Sequence, residues 1–330
     1  MILLSGTSLL AQTDSLKLKN GNIIVGEVKS MDQGVLVIET DYSDDDFTIK
    51  WIEVIEMTSD QEFLITLEDG TRINSSVQRD PKNKSHVILH RNEEPISVPI
   101  TDIVFLKSVK ENFLSRLDAS ISVGYNFTKS SSLQQFTVRS TLNYTGRTWA
   151  FYSSYNSVRS KQDNTDEIHR TDASIGSRYF LKNDYFLLLS ADFLANDEQK
   201  LKLRTAIKGG GGKYFVHSNK LYFAGGGGIA WNNENYTDET IPSRNSVEGF
   251  ISAELNIFDM KNLDLISNLT VYPSITESGR VRSDFKVDLK YDLPLDFFIK
   301  LGFTLNYDNM PVAGAAKDDY VLQTTFGWEL

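Results

Sequence analysis

A chain of 330 residues that is 40% hydrophobic, 24% charged and 11% aromatic is longer than one ordinary domain, and that composition excludes disorder as the default. The absence of cysteine excludes disulfides, thiolate zinc sites and cysteine nucleophiles. A net charge of -10, with no clusters of Lys and Arg, argues against nucleic acid as a partner, because phosphate recognition needs such clusters.

Residues 1–12 hold an apolar run, Ile2 to Ala11, ending in small residues. This pattern matches a signal peptide truncated at its front, since the basic opening segment is missing. Beyond it no stretch approaches the roughly eighteen apolar residues of a spanning helix, so membrane insertion would require a closed barrel of strands.

Residues 13–110 contain a repeat. Leu16-Lys17-Leu18-Lys19-Asn20-Gly21 recurs as Ile65-Thr66-Leu67-Glu68-Asp69-Gly70, and the block Ile49 to Ile55 recurs as Val98 to Val104, both at an offset of 49 (65 − 16 and 98 − 49). Asn-Gly and Asp-Gly between alternating apolar residues are hairpin signals, because both central positions favour positive φ. Two small β units are expected, 13–60 and 61–110, each curled like an SH3 or Sm fold, followed by a linker at 111–115. Trp51 belongs in the core of the first unit. His86 and His90 fall on a strand, where a spacing of four does not bring two ligands together. Asp44-Asp45-Asp46 is a solvated loop tip without the spaced ligands of a calcium loop.

From Arg116 to Leu330 the apolar period becomes two, in segments of about ten residues, the signature of transmembrane strands. Leu117, Ala119, Ile121, Val123, Tyr125 and Phe127 alternate with Asp118, Ser120, Ser122, Gly124 and Asn126. The segments fall near 116–127, 133–144, 148–157, 168–181, 185–194, 201–214, 220–231, 246–257, 263–272, 281–291, 296–307 and 319–330. The expected architecture is all-β: an antiparallel transmembrane β-barrel of about 12 strands, preceded by a small tandem-repeat periplasmic domain. Odd-numbered connections (Val158 to Glu167, Asn232 to Asn245, Asp308 to Asp318) are long, and even-numbered ones (Thr145 to Arg147, Lys182 to Asp184, Asp292 to Leu295) are short. Bacterial barrels place short turns in the periplasm, which puts the N-terminal domain there too.

Tyr125, Phe127, Tyr144, Trp149, Tyr179, Tyr185, Trp231, Tyr272, Tyr291, Tyr307, Tyr320 and Trp328 lie towards strand ends, as an interfacial girdle requires. The last segment carries Tyr320, Leu322, Thr324, Phe326, Trp328 and Leu330 on one face. It resembles the C-terminal signal read by the barrel-assembly machinery, except that the signal usually ends in an aromatic residue.

The expected lumen-lining set is Arg139, Arg170, Arg178, Lys202, Arg204, Lys208, Arg282, Lys286, Lys290 and Lys300, offset by Asp118, Asp172, Asp192, Glu248, Glu254, Asp264, Asp284, Asp288 and Glu329. Such side chains either cross-link the lumen or line a narrow passage; structural pairing is the favoured reading. His169 and Ser174 fall on opposite sides of one strand, so no base and nucleophile meet there. The glycine runs 209–212 and 225–228 lack the strand-to-helix switch of a phosphate loop. They are expected to face each other across one hairpin, where curvature is favoured over a functional contact.

Leu16 to Gly21 with Gly26-Glu27-Val28, the Ile49 to Ile55 block, and Leu117 to Phe127 followed by Thr128-Lys129-Ser130 resemble a family of uncharacterised β-barrels of Gram-negative bacteria known as salt-induced outer membrane proteins. The resemblance implies an outer-membrane barrel with no established catalytic residues. Three functions are open: a narrow passive channel or envelope-structural barrel with a periplasmic docking domain; a non-conducting anchor for a periplasmic protein-interaction module; and a lipid-modifying enzyme, the least favoured. No cofactor or metal is expected. The expected partners are outer-membrane lipid, the barrel-assembly machinery and a periplasmic protein bound through residues 13–110.

Overall fold

The computed structural model describes residues 14–91, 94–109, 117–128, 133–163, 167–258, 262–294 and 297–328. The expected signal peptide, the 111–115 linker, Glu329 and Leu330 lie outside them. The chain forms two compact units, one of residues 1–68 and 72–115 and one of residues 69–71 and 116–330.

The first unit is a nine-stranded sheet. Its strands are β1 (Asp14–Leu18), β2 (Ile23–Asp32), β3 (Val35–Glu39), β4 (Phe47–Lys50), β5 (Val54–Leu67), β6 (Arg72–Arg79), β7 (His86–Arg91), β8 (Glu94–Pro99) and β9 (Ile103–Ser108). Short 3-10 turns, Trp51–Glu53 and Ile100–Asp102, precede β5 and β9. The duplication is visible in the hydrogen-bond register. Leu16 pairs with Ile24 and Met57, and 49 residues on, Ile65 pairs with Ile73 and Leu106.

The two copies are not separate sheets, as the expected boundary at residues 60 and 61 implied. β5 runs straight through it, its first half pairing with β1 and its second half with β6 and β9. β2 of the first copy also pairs with β9 of the second, Met31 opposite Leu106. A shared core buries a larger fraction of the surface than one copy of this length would by itself. Sharing gives one cluster in which Leu16, Met31, Trp51, Phe63, Ile65 and Leu106 are all buried. Trp51 is a core residue, and its indole N–H donates to the carbonyl of Ile100 at 3.1 Å, the residue that occupies its own position in the other copy.

Two buried aspartates tie down the unit's periphery. The Val28 N–H donates to Asp14 Oδ2 at 2.7 Å, Gln61 Nε2 donates to the same oxygen, and Ser108 Oγ donates to Gln61 Oε1 at 2.9 Å. Burial pushes the Asp14 carboxyl above its ordinary value despite these donors. Asp80 receives the hydroxyl of Ser97, the backbone N–H of Lys82 at 2.8 Å and the Asn83 N–H and side chain. Those donors, Ser97 first, hold its carboxyl down at about 2.

The second unit is a twelve-stranded antiparallel sheet in strict chain order. It comprises β10 (Leu117–Thr128), β11 (Leu133–Thr145), β12 (Trp149–Lys161), β13 (Ile168–Phe180), β14 (Tyr185–Asn196), β15 (Leu201–His217), β16 (Leu221–Tyr236), β17 (Arg244–Ile257), β18 (Leu263–Pro273), β19 (Val281–Asp292), β20 (Phe297–Asp308) and β21 (Asp318–Trp328). Period-two alternation gives the sheet an apolar and a polar face. Ile121, Leu142, Ile175, Leu189, Ile229, Ile251 and Leu322 stand on the apolar face and are exposed despite their chemistry.

The polar face curls on itself. Arg178 on β13 reaches Glu254 on β17 at 3.2 Å, and Arg170 on β13 reaches Asp319 on β21 at 3.0 Å, both between strands that are not neighbours. β15 and β16 run further than their alternation implied, to His217 and Tyr236. The polar run from Asn232 continues the ladder because its side chains find partners on the polar face. Connections 237–243, 274–280 and 309–317 lie at one end of the sheet, the loop end; 146–148, 218–220 and the start of β10 lie at the other, the turn end.

The Asp80 carboxylate stabilises the first unit because its folded value lies below the ordinary one of 3.8. The contribution is therefore complete above 3.8 and is lost as pH falls through about 2. Asp80→Asn should speed amide exchange in β7 at pH 7 relative to the parent, and the gap should shrink as the comparison moves to pH 2. A gap of undiminished size at pH 2 would show that ionisation of Asp80 is not its source.

Candidate functional site

The charged residues of the polar face divide into a dry group at the loop end and a wet group towards the turn end. At the loop end Arg280, 1% exposed in its side chain, donates to Glu234 at 2.9 Å, Asp308 at 2.6 Å and Glu277 at 2.8 Å. Arg204 and the Tyr236 hydroxyl also donate to Glu234, each at 2.9 Å. Arg282 makes a two-point contact with fully buried Glu248 at 3.0 and 2.6 Å, and its guanidinium stacks 4.9 Å from the Tyr272 ring centre. Arg244 bridges Glu277 and the Met310 carbonyl. Paired charges of this kind hold one geometry, and removing one partner strands the other, at about 3–5 kcal/mol.

Towards the turn end Arg139, Lys286 and Lys300 are exposed. Arg139 donates to Asn156 at 3.2 Å, Lys286 pairs with Asp288 at 3.2 Å, and Lys290 pairs with Asp292 at 3.1 Å. Lys290 stands opposite Lys300 in register, and Asp284 accepts from Asn306 at 2.7 Å. Arg170, Arg178, Arg204, Lys208, Glu248, Glu254, Arg282, Asp284, Lys286, Asp288, Lys290, Lys300 and Arg139 thus share the polar face by register.

One residue stands at an irregularity, and one expectation is corrected. Lys202 falls at a bulge between Leu201 and Leu203 that interrupts the alternation; Leu201 takes the buried position, and Lys202 pairs with Glu239 in the open at 3.6 Å. Tyr272 is not part of a surface girdle, since it points to the polar face and is buried between Arg282 and Lys208. Conversely, Glu234, Arg244, Glu277, Arg280 and Asp308 were missed, because they sit at strand ends and in connections that alternation alone assigns to solvent.

The polar face also holds a cavity of about 210 Å³. Arg178 and Lys208 line it, held by Glu254 at 3.2 Å and by Asp192 at 2.5 Å respectively. Tyr152, Ser190, Ser252, Asn268 and Thr270 supply polar groups, and Phe186, Leu188, Ala224 and Phe250 supply apolar wall. Nearer the turn end the polar face is filled by rings: Phe186 on Tyr214, Tyr214 on His217, His217 on Tyr222 and Tyr222 on Phe258, with centres 4.7–5.4 Å apart. His217 also meets Asp184 at 3.0 Å.

The glycine runs do face each other, Gly210 opposite Gly228 and Gly212 opposite Gly226. A Cβ on Gly228 would fall onto the carbonyl oxygen of Gly209 and within 2.8 Å of the Phe250 ring; one on Gly212 would meet the Phe186 ring at 2.6 Å. The runs therefore allow a tight strand approach and let two rings lie against bare backbone. His169 accompanies Thr171, 2.9 Å away, while Ser174 bonds Ser154 on the polar face. Among the described residues no three His, Asp or Glu side chains are placed to hold a metal ion. Tyr320, Leu322 and Phe326 are exposed on the apolar face of β21, the strand that also contains Trp328.

A family model described as "Protein of unknown function, DUF481" matches residues 121–329. No curated protein matches the chain. Among solved structures the chain is similar to "The crystal structure of BamA from Haemophilus ducreyi lacking POTRA domains 1-3", with 12% identity over 89% of this chain and 76% of that one, at a TM-score of 0.25.

Gly228→Ala should impair assembly of the β15–β16 hairpin, whereas Gly209→Ala, with nothing within 4 Å of its new carbon, should be tolerated. Heat-modifiable migration on gels after refolding into detergent reads the folded fraction. Equal yields for the two variants would contradict the close-approach account.

Proposed function

Since the chain belongs to the DUF481 family, whose description assigns no role, we propose from its own residues that it is an outer-membrane β-barrel protein that acts chiefly as an envelope-structural barrel and carries its first unit into the periplasm. The observation that carries the reading is the exposed apolar face of all twelve strands. Apolar residues such as Ile121 at 76%, Ile251 at 68% and Leu322 at 67% exposed need lipid as their solvent. In lipid an open sheet edge leaves backbone groups unsatisfied, so β10 and β21 close against each other, making a twelve-stranded barrel. The start of β10 lies with the short turns, which supports a periplasmic position for the first unit. In each copy of that unit the first strand pairs with the last after a 3-10 turn, which supports an SH3- or Sm-like docking module. Its partner is a periplasmic protein, and the exposed face of β21 is the surface offered to the assembly machinery.

The buried network around Arg280 and Glu248 supports a lumen that is cross-linked at the loop end and does not conduct. A narrow passage is the second reading, favoured by the exposure of Arg139, Lys286 and Lys300. The enzyme reading gains nothing from His169, whose side-chain neighbour is Thr171.

Two measurements test the proposal. After cell fractionation the chain should sediment with outer membranes and need detergent for release; recovery in the soluble fraction overturns the barrel. In planar bilayers the parent chain should be silent, while discrete conductance steps would replace the structural barrel with the channel.

A further inference from the structure

The cavity on the polar face holds more unmet bonding capacity than structure requires. Among the described residues, Ser190, Ser252, Asn268 and Thr270 make no side-chain hydrogen bond, although all four line it, and Tyr152 stands beside Arg178 and Lys208. Arg178 Nε is buried without a partner as well. Beside these polar groups stand Phe186 and Phe250, 5% and 4% exposed, which lie against the glycine ladder and supply an apolar wall. Gly176 serves the same end, because a Cβ there would fall onto the Tyr152 ring.

Charge narrows what fits. Both cations at the cavity already have carboxylate partners, Glu254 for Arg178 and Asp192 for Lys208. The lining is therefore neutral as a whole, and a charged guest would leave an uncompensated charge in a half-buried site. Paired charges, hydroxyls and an amide instead offer donors and acceptors side by side, the pattern that meets a guest whose own groups are hydroxyls. At about 30 Å³ per water, the cavity of about 210 Å³ holds about seven waters, below the usual range for larger ligands.

We infer that this cavity is a binding site for one small uncharged polyhydroxy solute, a single sugar ring or cyclic polyol, with its hydroxyls on Tyr152, Ser190, Ser252, Asn268 and Thr270 and its apolar face against Phe186 and Phe250. The site rests on the barrel reading only for its place inside the lumen, with the stacked rings from Tyr214 to Phe258 on its turn side. The ion-pair network closes the loop end above it.

The test uses the full chain in an amine-oxide detergent free of sugar, titrated calorimetrically with D-glucose, D-galactose and myo-inositol, with acetate and inorganic phosphate as anionic probes. Saturable binding of at least one polyhydroxy probe, one per chain, is expected, with no competition from the anions. Ser252→Leu fills the space while keeping all four ion-pair residues and should abolish it. Thr270→Val keeps the volume but removes one hydroxyl and should weaken binding about tenfold. Failure of all three probes, equal binding by Thr270→Val, or preference for acetate or phosphate overturns the site. A chain that sediments with outer membranes but binds none of them loses the site and keeps the barrel; a soluble chain that binds loses the barrel and keeps the site.

Discussion

Consecutive antiparallel pairing of twelve strands is the constraint on which the second unit depends. Every backbone donor and acceptor in a strand must find its neighbour, and the ladder provides this from Leu117 opposite Tyr144 to Phe297 opposite Trp328 with few irregularities. Given that pairing, side chains have only two directions available. One face becomes continuously apolar and the other continuously polar, and the remaining features are consequences of what each face must do.

The polar face has to dispose of charges brought close together by curling. It does so with pairs between strands that are distant in sequence, Arg178 with Glu254 and Arg170 with Asp319, and with the hub at Arg280. Hydrogen-bonded pairs in a dry interior define one arrangement rather than many, because each broken pair leaves a buried charge. Where volume is tight, side chains are deleted instead, as in the facing glycines of β15 and β16. The rings of Phe186 and Phe250 then pack on backbone, and the space beside them becomes the cavity.

The first unit meets a different problem, the small core available to one repeat. Its solution is to interlock two copies, so that β5 serves both and Trp51 bonds to its counterpart position at Ile100. Local signals read as two domains what cooperation between them makes into one. The offset of 49 was legible because both copies keep the same register, while their pairing with each other leaves no mark on either copy alone.

The sequence by itself determined the all-β character, the position of nearly every strand from β10 to β21, the two-faced distribution along them and the opposition of the glycine runs. These follow from alternation and turn chemistry, which are local. Only the tertiary structure decided which charges meet, that a bulge interrupts the alternation at Lys202, that Tyr272 turns inward, and that Arg280 and Glu234 are buried although they lie in a connection and near a strand end. The physical reason is that alternation specifies a direction relative to the sheet but not how the sheet bends, and the bend alone chooses the partners across it.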